Sequence, residues 1–208
     1  MTEDRAQRRY DGLRRTAQAL ETRVEIARAA RRLFLAHGWA ETTVRDVARE
    51  AGVSVPTVYS IYGNKLGLAR ALADAADLSG DVPRMLAELE DPTADPARQL
   101  RAMAGFDRRL YERAGVIIVL LREAGRTEPE LGTVYRDGRR RADETRLQVF
   151  SSWPDGVLRG GLDVKTAADI YAGICVIDVY ITLADERGWP PARVERWWGE
   201  LLARELLS

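Results

Sequence analysis

The 208-residue sequence has one cysteine and one histidine, Cys175 and His37. One cysteine excludes a disulfide framework within the chain, and it fits a reducing compartment. This composition also excludes a His-rich or Cys-rich metal site and leaves little basis for a Cys–His nucleophile pair. Cys175 stands among apolar residues and His37 precedes Gly38 at a predicted helix end, so we interpret both as structural. We predict no metal and no cofactor.

Sequence patterns of common enzymes are absent as well. The chain contains no G-x-x-x-x-G-K-[ST], G-x-G-x-x-G or G-x-S-x-G motif. Three aspartates, Asp74, Asp77 and Asp81, cluster near a predicted helix end, where solvated carboxylates are a sufficient explanation. We therefore predict that the protein is not an enzyme.

A long uninterrupted apolar run is also missing. The longest such stretch, Ile170 to Leu183, is interrupted by Asp178 and Thr182 and is shorter than the ~20 residues needed to cross a bilayer. The N-terminus is charged and has no apolar core of a signal peptide. We expect no membrane association and a cytoplasmic location.

The formal net charge is zero, but the charge is unevenly distributed. Residues 1–62 carry 11 arginines against 8 acidic residues, and the rest of the chain is correspondingly acidic. A basic N-terminal segment is either a local site for a polyanion or a solvated, disordered tail. We predict that residues 1–21 form a basic, flexible extension. Its arginines are Arg5, Arg8, Arg9, Arg14 and Arg15.

Apolar residues recur at helical spacing through most of the chain, and no run alternates with the period of a strand. An all-α fold is therefore predicted. Thr22 is expected to cap the helix that begins the first domain, and Gly38 to end it. Two segments rich in helix-breaking residues, 78–96 and 151–163, are expected to connect packed helices.

The stretch ETTVRDVAREAGVSVPTVYSIYGNK, residues 41–65, predicts two short helices around one glycine. Thr43 with Asp46 resembles a capping box for the first helix. Gly52 can adopt the left-handed conformation that a tight turn requires. Ser54 is expected to cap the second helix. Two short helices joined by such a turn form a helix-turn-helix.

The two helices are expected over residues 44–50 and 55–62, each with a buried and an exposed face. The exposed face of the second carries hydroxyls, an aromatic ring with a polar tip and one apolar side chain, a set that can contact phosphates and base edges. These outward residues are Val55, Thr57, Tyr59 and Ser60. The inward residues are Val47, Ala48, Val53, Val58 and Ile61.

Residues 22–72 resemble the DNA-binding domain of the tetracycline-repressor (TetR) family. The resemblance rests on the run LFLAHGWAETTVRDVAREAGVS, the PTVY start of the second short helix and Lys65 just beyond it. It implies an N-terminal three-helix helix-turn-helix domain, expected at residues 22–68, and a C-terminal helical ligand-binding and dimerisation domain at 69–208. It further implies a homodimeric repressor that leaves DNA when a small ligand binds.

The resemblance also assigns DNA contacts residue by residue. Thr43 and Arg45 match positions that touch the DNA backbone or bases, and Lys65 matches a phosphate contact. Where the family's usual motif reads YYHF, this chain reads YSIY at 59–62, and Ile61 is expected in the core rather than at a phosphate. The predicted DNA-contacting set is Thr43, Arg45, Ser54, Val55, Thr57, Tyr59, Ser60 and Lys65.

The stretch from Ile170 to Leu183 is apolar on nearly all sides of a helix. Such a helix must be covered all round, most simply by its own domain and by a second copy of the chain. Together with a companion helix at 191–207, it is expected to form a four-helix bundle in a homodimer. A homodimer fits a palindromic operator in double-stranded DNA.

A mostly apolar cavity for a small-molecule effector is expected in the C-terminal domain. Asp178 stands among apolar residues, and burying its carboxylate is costly unless it meets a cation, a tyrosine hydroxyl, an interface partner or a ligand. The candidate lining residues are Met103, Phe106, Leu110, Leu121, Tyr135, Phe150, Tyr171, Ile174 and Asp178.

Three functions remain open from the sequence. The first is a repressor that an apolar or amphipathic ligand releases from DNA. The second is a DNA-binding regulator of the same fold without a small-molecule effector, which responds to a protein or activates transcription. The third is a dimeric helical module that has lost DNA binding.

Overall fold

The computed structural model describes the backbone of residues 2–208 and the side chains of residues 18–208. The described chain is helical and has no β-strand, so the predicted all-α fold is confirmed; Leu158 and Leu207 form an isolated antiparallel bridge. A π-helical turn, Thr182–Glu186, follows the ninth helix. The α-helices are α1 (Thr2–Glu41), α2 (Val44–Glu50), α3 (Val55–Tyr62), α4 (Lys65–Ser79), α5 (Val82–Leu89), α6 (Pro96–Ala124), α7 (Pro129–Ser151), α8 (Val164–Ile174), α9 (Ile177–Ile181) and α10 (Pro191–Leu206).

The chain divides into two compact units, residues 1–72 and 73–208. The division falls within α4, a few residues beyond the boundary expected from the sequence. The basic N-terminal extension belongs to the first unit, but the side chains of its five arginines lie outside the described residues. The flexibility of that extension stays a prediction.

The first unit contains α1, α2, α3 and the start of α4. Thr22 is not a cap, because α1 continues through it and its hydroxyl donates to the carbonyl of Gln18 at 2.9 Å. The neighbouring alanine, glutamine, leucine and glutamate residues favour helix and carry α1 past this point. Gly38 does interrupt the helix, with φ 77° and ψ 175°, as its position predicted. The buried Thr42 then bonds back to the carbonyls of Gly38 and Leu33.

The second unit is built around α6 and α7, two long helices that pack on one another and on α10 and α8. The loop at 151–163 is where the sequence predicted it. The connection at 78–96 was predicted wrongly, because it contains α5. Asp81 caps α5, its side chain accepting from the Arg84 amide at 3.4 Å. The apolar side chains of α5 then bury against the unit, which offsets the breakers around it.

The apolar stretch from Ile170 to Leu183 is not one helix. Cys175 (φ −89°, ψ 63°) and Val176 (φ −111°, ψ 151°) leave the helical conformation, and α9 continues into the π-helical turn. Among the described residues, Val164–Glu186 has the length and the mean hydropathy, 1.6, of a membrane span, but a third of its apolar window is buried within the unit. Because core helices of soluble proteins share these properties, this is weak evidence for a membrane.

Candidate nucleic-acid interface and ligand cavity

The turn between α2 and α3 has the geometry that its sequence predicted. Thr43 and Asp46 form a full capping box: the Thr43 hydroxyl accepts from the Asp46 amide, and the Asp46 carboxylate accepts from the Thr43 amide, both at 3.1 Å. The Thr43 hydroxyl also donates to the Asp46 carboxylate at 2.6 Å. This hydrogen bond and the one from the Thr43 amide lower the pKa of the Asp46 carboxyl, and Arg49 lowers it further. Gly52 has φ 66° and Ser54 caps α3 by accepting from the Thr57 amide. The chain direction is thereby fixed on both sides of the turn.

The contact between α2 and α3 is a small apolar core. Val47, Ala48 and Val58 are buried, as predicted, and Ile61 is half-buried. Ala48 is 2% exposed, so a larger side chain there has no room. The second helix of the motif is therefore held rigidly against the first.

A hydrogen bond also fixes α3 to α1. The Tyr62 hydroxyl donates to the Arg23 carbonyl at 2.8 Å, and partial burial raises the pKa of Tyr62. The other end of the unit is closed by an ion pair between Arg32 of α1 and Glu50 of α2, at 3.0 Å. These contacts orient α3 within the first unit.

The outward face of α3 carries the predicted side chains. Tyr59 is 50% exposed and Ser60 is exposed, while Val55 and Thr57 are half-buried. The Thr57 hydroxyl hydrogen-bonds the Ser54 hydroxyl at 2.8 Å, and that pair can still accept from or donate to a further group. A rigid helix with hydroxyls and an exposed aromatic ring fits a DNA groove.

Basic side chains lie near this face in the sequence, and they differ in the contacts that they already make within the protein. Arg45 is exposed, and no carboxylate lies within 4 Å of it among the described residues. Arg49 is engaged by Asp46 at 2.7 Å. Lys65 donates to the Trp39 carbonyl and lies over the Trp39 ring, with its ammonium 4.2 Å from the centroid. Lys65 therefore has a structural role at the start of α4. The predicted phosphate contact would have to use N–H groups of its ammonium that do not bind the Trp39 carbonyl.

The second unit contains a cavity of about 570 Å³, lined mostly by apolar side chains. Its walls come from the end of α4 and from α5, α6 and α7, with Tyr171 and Ile177 at one side. Six of the nine candidate lining residues lie in its wall: Met103, Phe106, Leu110, Leu121, Tyr135 and Tyr171.

A buried polar cluster forms part of the cavity wall. Asp107 is 4% exposed, and it accepts from the Tyr171 hydroxyl at 3.0 Å and pairs with Arg146 at 3.5 Å. Burial raises the pKa of the Asp107 carboxyl, against the opposing effects of Arg146 and Tyr171. Arg146 lies over the Tyr171 ring and also pairs with Asp143 at 2.6 Å. The cluster places a buried carboxylate and a buried guanidinium side by side in the cavity wall.

Three of the nine candidates do not line this cavity: Phe150, Ile174 and Asp178. Phe150 is buried in the core against Trp153, with ring centroids 4.7 Å apart. Asp178 is not buried, contrary to the prediction, because its side chain is 58% exposed; it does meet a cation, since it pairs with Arg122 at 2.6 Å. The break at Cys175 turns the following residues, so α9 presents a different face from the one that a continuous helix would present.

Sequence reasoning missed Asp107 and Arg146. Helical spacing places Asp107 on the same face of α6 as Leu100 and Leu110, and a carboxylate on that face needs a partner. Arg146 comes from α7, and only the fold brings it to Asp107. No group of three or more His, Cys, Asp or Glu that could hold a metal occurs among the residues described.

Comparisons with known proteins agree with these features. Residues 26–72 match the family model described as bacterial regulatory proteins, tetR family. The transcriptional regulator TtgR of Pseudomonas putida is 38% identical over 92 residues, which span 44% of this chain and 43% of the relative. AlkX of Mycobacterium tuberculosis, another helix-turn-helix regulator, is 41% identical over 51 residues, 24% of each chain. The chain thus matches less than half the length of these curated relatives.

Solved structures resemble nearly the whole chain. NalD, the secondary repressor of the MexAB-OprM multidrug efflux pump in Pseudomonas aeruginosa, superposes with a TM-score of 0.67 at 23% identity, over 90% of this chain and 98% of its own. A transcriptional regulator from Saccharomonospora viridis, solved in complex with choline, gives 0.69 at 21% identity, with 90% and 98% coverage. At these identities, the likeness establishes the fold of both units.

Proposed function

We propose that this chain, a member of the tetR family of bacterial regulatory proteins, is a homodimeric repressor that a small amphipathic ligand releases from a palindromic operator. The observation that carries the proposal is that one chain contains both α3, a capped helix with a polar outward face, and a separate cavity large enough for a drug-sized ligand. A DNA-binding protein without an effector has no need for such a cavity.

DNA reading is assigned to α3, with Tyr59, Ser60 and Thr57 toward the groove. Exposed Tyr59 and Ser60 can reach base edges, whereas Thr43 and Arg45 at the start of α2 suit the phosphate backbone. Because phosphate contacts release counterions, each one should contribute a slope of about −0.9 to log affinity against log salt.

Ligand binding is assigned to the cavity in the second unit. Its apolar walls suit the body of the ligand, and the Asp107–Arg146 cluster suits one polar group with both donor and acceptor atoms. Burial holds both cluster residues in place, so a polar group that pairs with them is oriented rather than merely enclosed.

Dimerisation is assigned to α8, α9 and α10. Several large apolar residues on these helices remain only half-buried in the single chain, among them Ile170, Ile174, Ile181, Trp197 and Leu201. Half-sites of a palindrome lie about 34 Å apart, and one helix-turn-helix reads only one of them. A second copy of the chain would cover this apolar surface and supply the helix-turn-helix for the second half-site.

Coupling between the two functions is assigned to α4. This helix begins at Lys65, directly after α3, and its later residues Ala73, Ala76 and Asp77 line the cavity. A ligand that moves Ala73, Ala76 or Asp77 therefore acts on α4, the helix that follows the DNA-binding helix α3 in the chain. Release requires that the ligand bind the DNA-incompetent form more tightly, and DNA must then weaken the ligand by the same factor.

The proposal is tested by selecting genomic DNA fragments with the purified protein and measuring their affinity by fluorescence anisotropy. The selected fragments should contain an inverted repeat, and Tyr59→Ala should weaken the selected duplex more than a random one. Sedimentation should give twice the chain mass. Selection of no common sequence, or a monomer that binds as tightly as the dimer, contradicts the proposal.

Ligand release is tested with a panel of amphipathic compounds titrated into the complex with the selected duplex. The variant Leu110→Trp fills the cavity, while Leu147→Trp adds the same ring on α7 at a residue that does not line it. A compound that displaces DNA should act on the Leu147→Trp variant and not on the Leu110→Trp variant. If a compound displaces DNA from both variants equally, the effector site lies outside the cavity.

A further inference from the structure

A second, smaller cavity of about 330 Å³ lies between α5, α6 and α10 in the second unit. Unlike the first, it is lined mainly by charged side chains, and none of its lining residues except Met85 belongs to the ligand cavity. We call it the arginine cavity after the four arginines in its wall: Arg84, Arg98, Arg101 and Arg109.

Positive charge is in excess at the arginine cavity. Its wall has two carboxylates, and arginines already hold both: Arg98 pairs with Glu88 at 2.8 Å, and Arg108, behind the wall, pairs with Glu195 at 2.9 Å. Among the described residues, no carboxylate lies within 4 Å of the other three arginines, Arg84, Arg101 and Arg109.

Arg109 is the least solvated of these cations. It is only 4% exposed, and its Nε donates to the Gly80 carbonyl at 2.8 Å. Its Nη1 lies beside Gly105, another residue of the wall, 3.1 Å from where a Cβ would stand. Burial lowers the pKa of the Arg109 guanidinium, and the positive charge of Arg84 adds to this effect. Glu195 and Asp81 partly oppose this lowering, but neither forms an ion pair with Arg109 within 4 Å. A buried guanidinium without an ion pair is costly, and an anion in the cavity would relieve that cost.

We propose that the arginine cavity is an anion site for a phosphate group, free or as a monoester, held by Arg84, Arg101 and Arg109. Guanidinium groups donate paired N–H groups that match phosphate oxygens, and three of them suit a doubly charged anion better than a singly charged one. The site is separate from the effector cavity, and it does not depend on DNA binding.

The negative charge of Glu195 in the cavity wall opposes a bound anion. Its Oε1 lies 2.9 Å from where a Cβ of Gly105 would stand, so one carboxylate oxygen faces the same space as Arg109. Glu195→Gln removes that negative charge, and it should tighten phosphate binding rather than weaken it.

Calorimetric titration of the full-length protein at low ionic strength tests the site. Inorganic phosphate, phenyl phosphate and acetate are the probes, and circular dichroism verifies that each variant is folded. Arg84 and Arg101 are exposed, so Arg84→Gln/Arg101→Gln removes two charges without disturbing the buried Arg109. Arg204→Gln, an exposed arginine on α10 away from the cavity, is the matched control.

The expected result is saturable binding of a phosphate probe, with acetate much weaker. The double variant should bind phosphate at least about tenfold more weakly, since each charge-assisted hydrogen bond contributes on that order. Arg204→Gln should bind as wild type. Binding of phenyl phosphate alone identifies a monoester as the occupant, whereas equal binding of both probes identifies the free anion as sufficient. No binding of either phosphate probe, or equal binding by the double variant, overturns the proposal.

Discussion

Gly67, in the first turn of α4, is a position in the first unit where an added methyl group would meet backbone atoms. A Cβ at Gly67 would overlap the carbonyl oxygen of Tyr62, the last residue of α3, and would lie 2.9 Å from its carbonyl carbon. Those atoms are backbone, so the junction between α3 and α4 has to move. Overpacking of this kind costs about 1–3 kcal/mol, and the helix preference of alanine offsets ~1 kcal/mol of it. Gly67→Ala should therefore lower the free energy of unfolding by about 0–2 kcal/mol.

Gly138 in the middle of α7 provides the matched comparison. A Cβ there meets only the end of the flexible Arg141 side chain, at 3.9 Å. Gly138→Ala should raise the free energy of unfolding by about 0.5–1 kcal/mol, because glycine disfavours a helix interior by that amount. Urea denaturation followed by circular dichroism measures both variants, and duplex affinity should fall for Gly67→Ala alone. If Gly67→Ala is as stable as Gly138→Ala and binds DNA normally, the close approach of α3 and α4 is refuted.

Three further perturbations have defined outcomes. Tyr62→Phe removes the hydrogen bond to the Arg23 carbonyl and should cost about 1 kcal/mol in denaturant titrations, whereas Tyr59→Phe, whose ring is half exposed, should cost little; equal losses would contradict the anchoring role. Burial raises the pKa of the Cys175 thiol well above its usual range, so a thiol reagent at pH 8 should label it only after denaturation; rapid labelling of the native protein would show that the second unit opens. Asp46 has a lowered pKa in the folded protein, so its stabilising effect is present above the unfolded pKa and is lost as pH falls through the folded value. Stability near pH 3 should therefore differ less between wild type and Asp46→Asn than at pH 7, and a larger difference at low pH would reverse the assigned sign.

The helix-turn-helix of the first unit was predictable because the residues that determine its caps and turn are close together in the sequence. Thr43 with Asp46, Gly52 and Ser54 determine caps and a turn within a few residues, and the structure has each of them where the sequence indicated. Thr22 misled because a threonine inside a strong helix-forming segment bonds back to the helix instead of beginning it.

The second unit was less predictable because its important contacts are long-range. Helical spacing identified the inward face of α6 but could not show that Arg146 of α7 would meet Asp107. A single glycine, Gly173, precedes the break at Cys175, and one glycine does not by itself predict that a helix ends. The exposure of Asp178 and its pairing with Arg122 were therefore not foreseen. Sequence alone therefore located the cavity walls better than the polar groups in them.

The affinity for the selected duplex with and without a bound cavity ligand tests the central claim most directly. The claim predicts that an active compound weakens duplex binding at least about fivefold in wild type, that the duplex weakens the compound by the same factor, and that Leu110→Trp retains DNA binding while losing both effects. A compound shown by calorimetry to fill the cavity while leaving duplex affinity unchanged would contradict it.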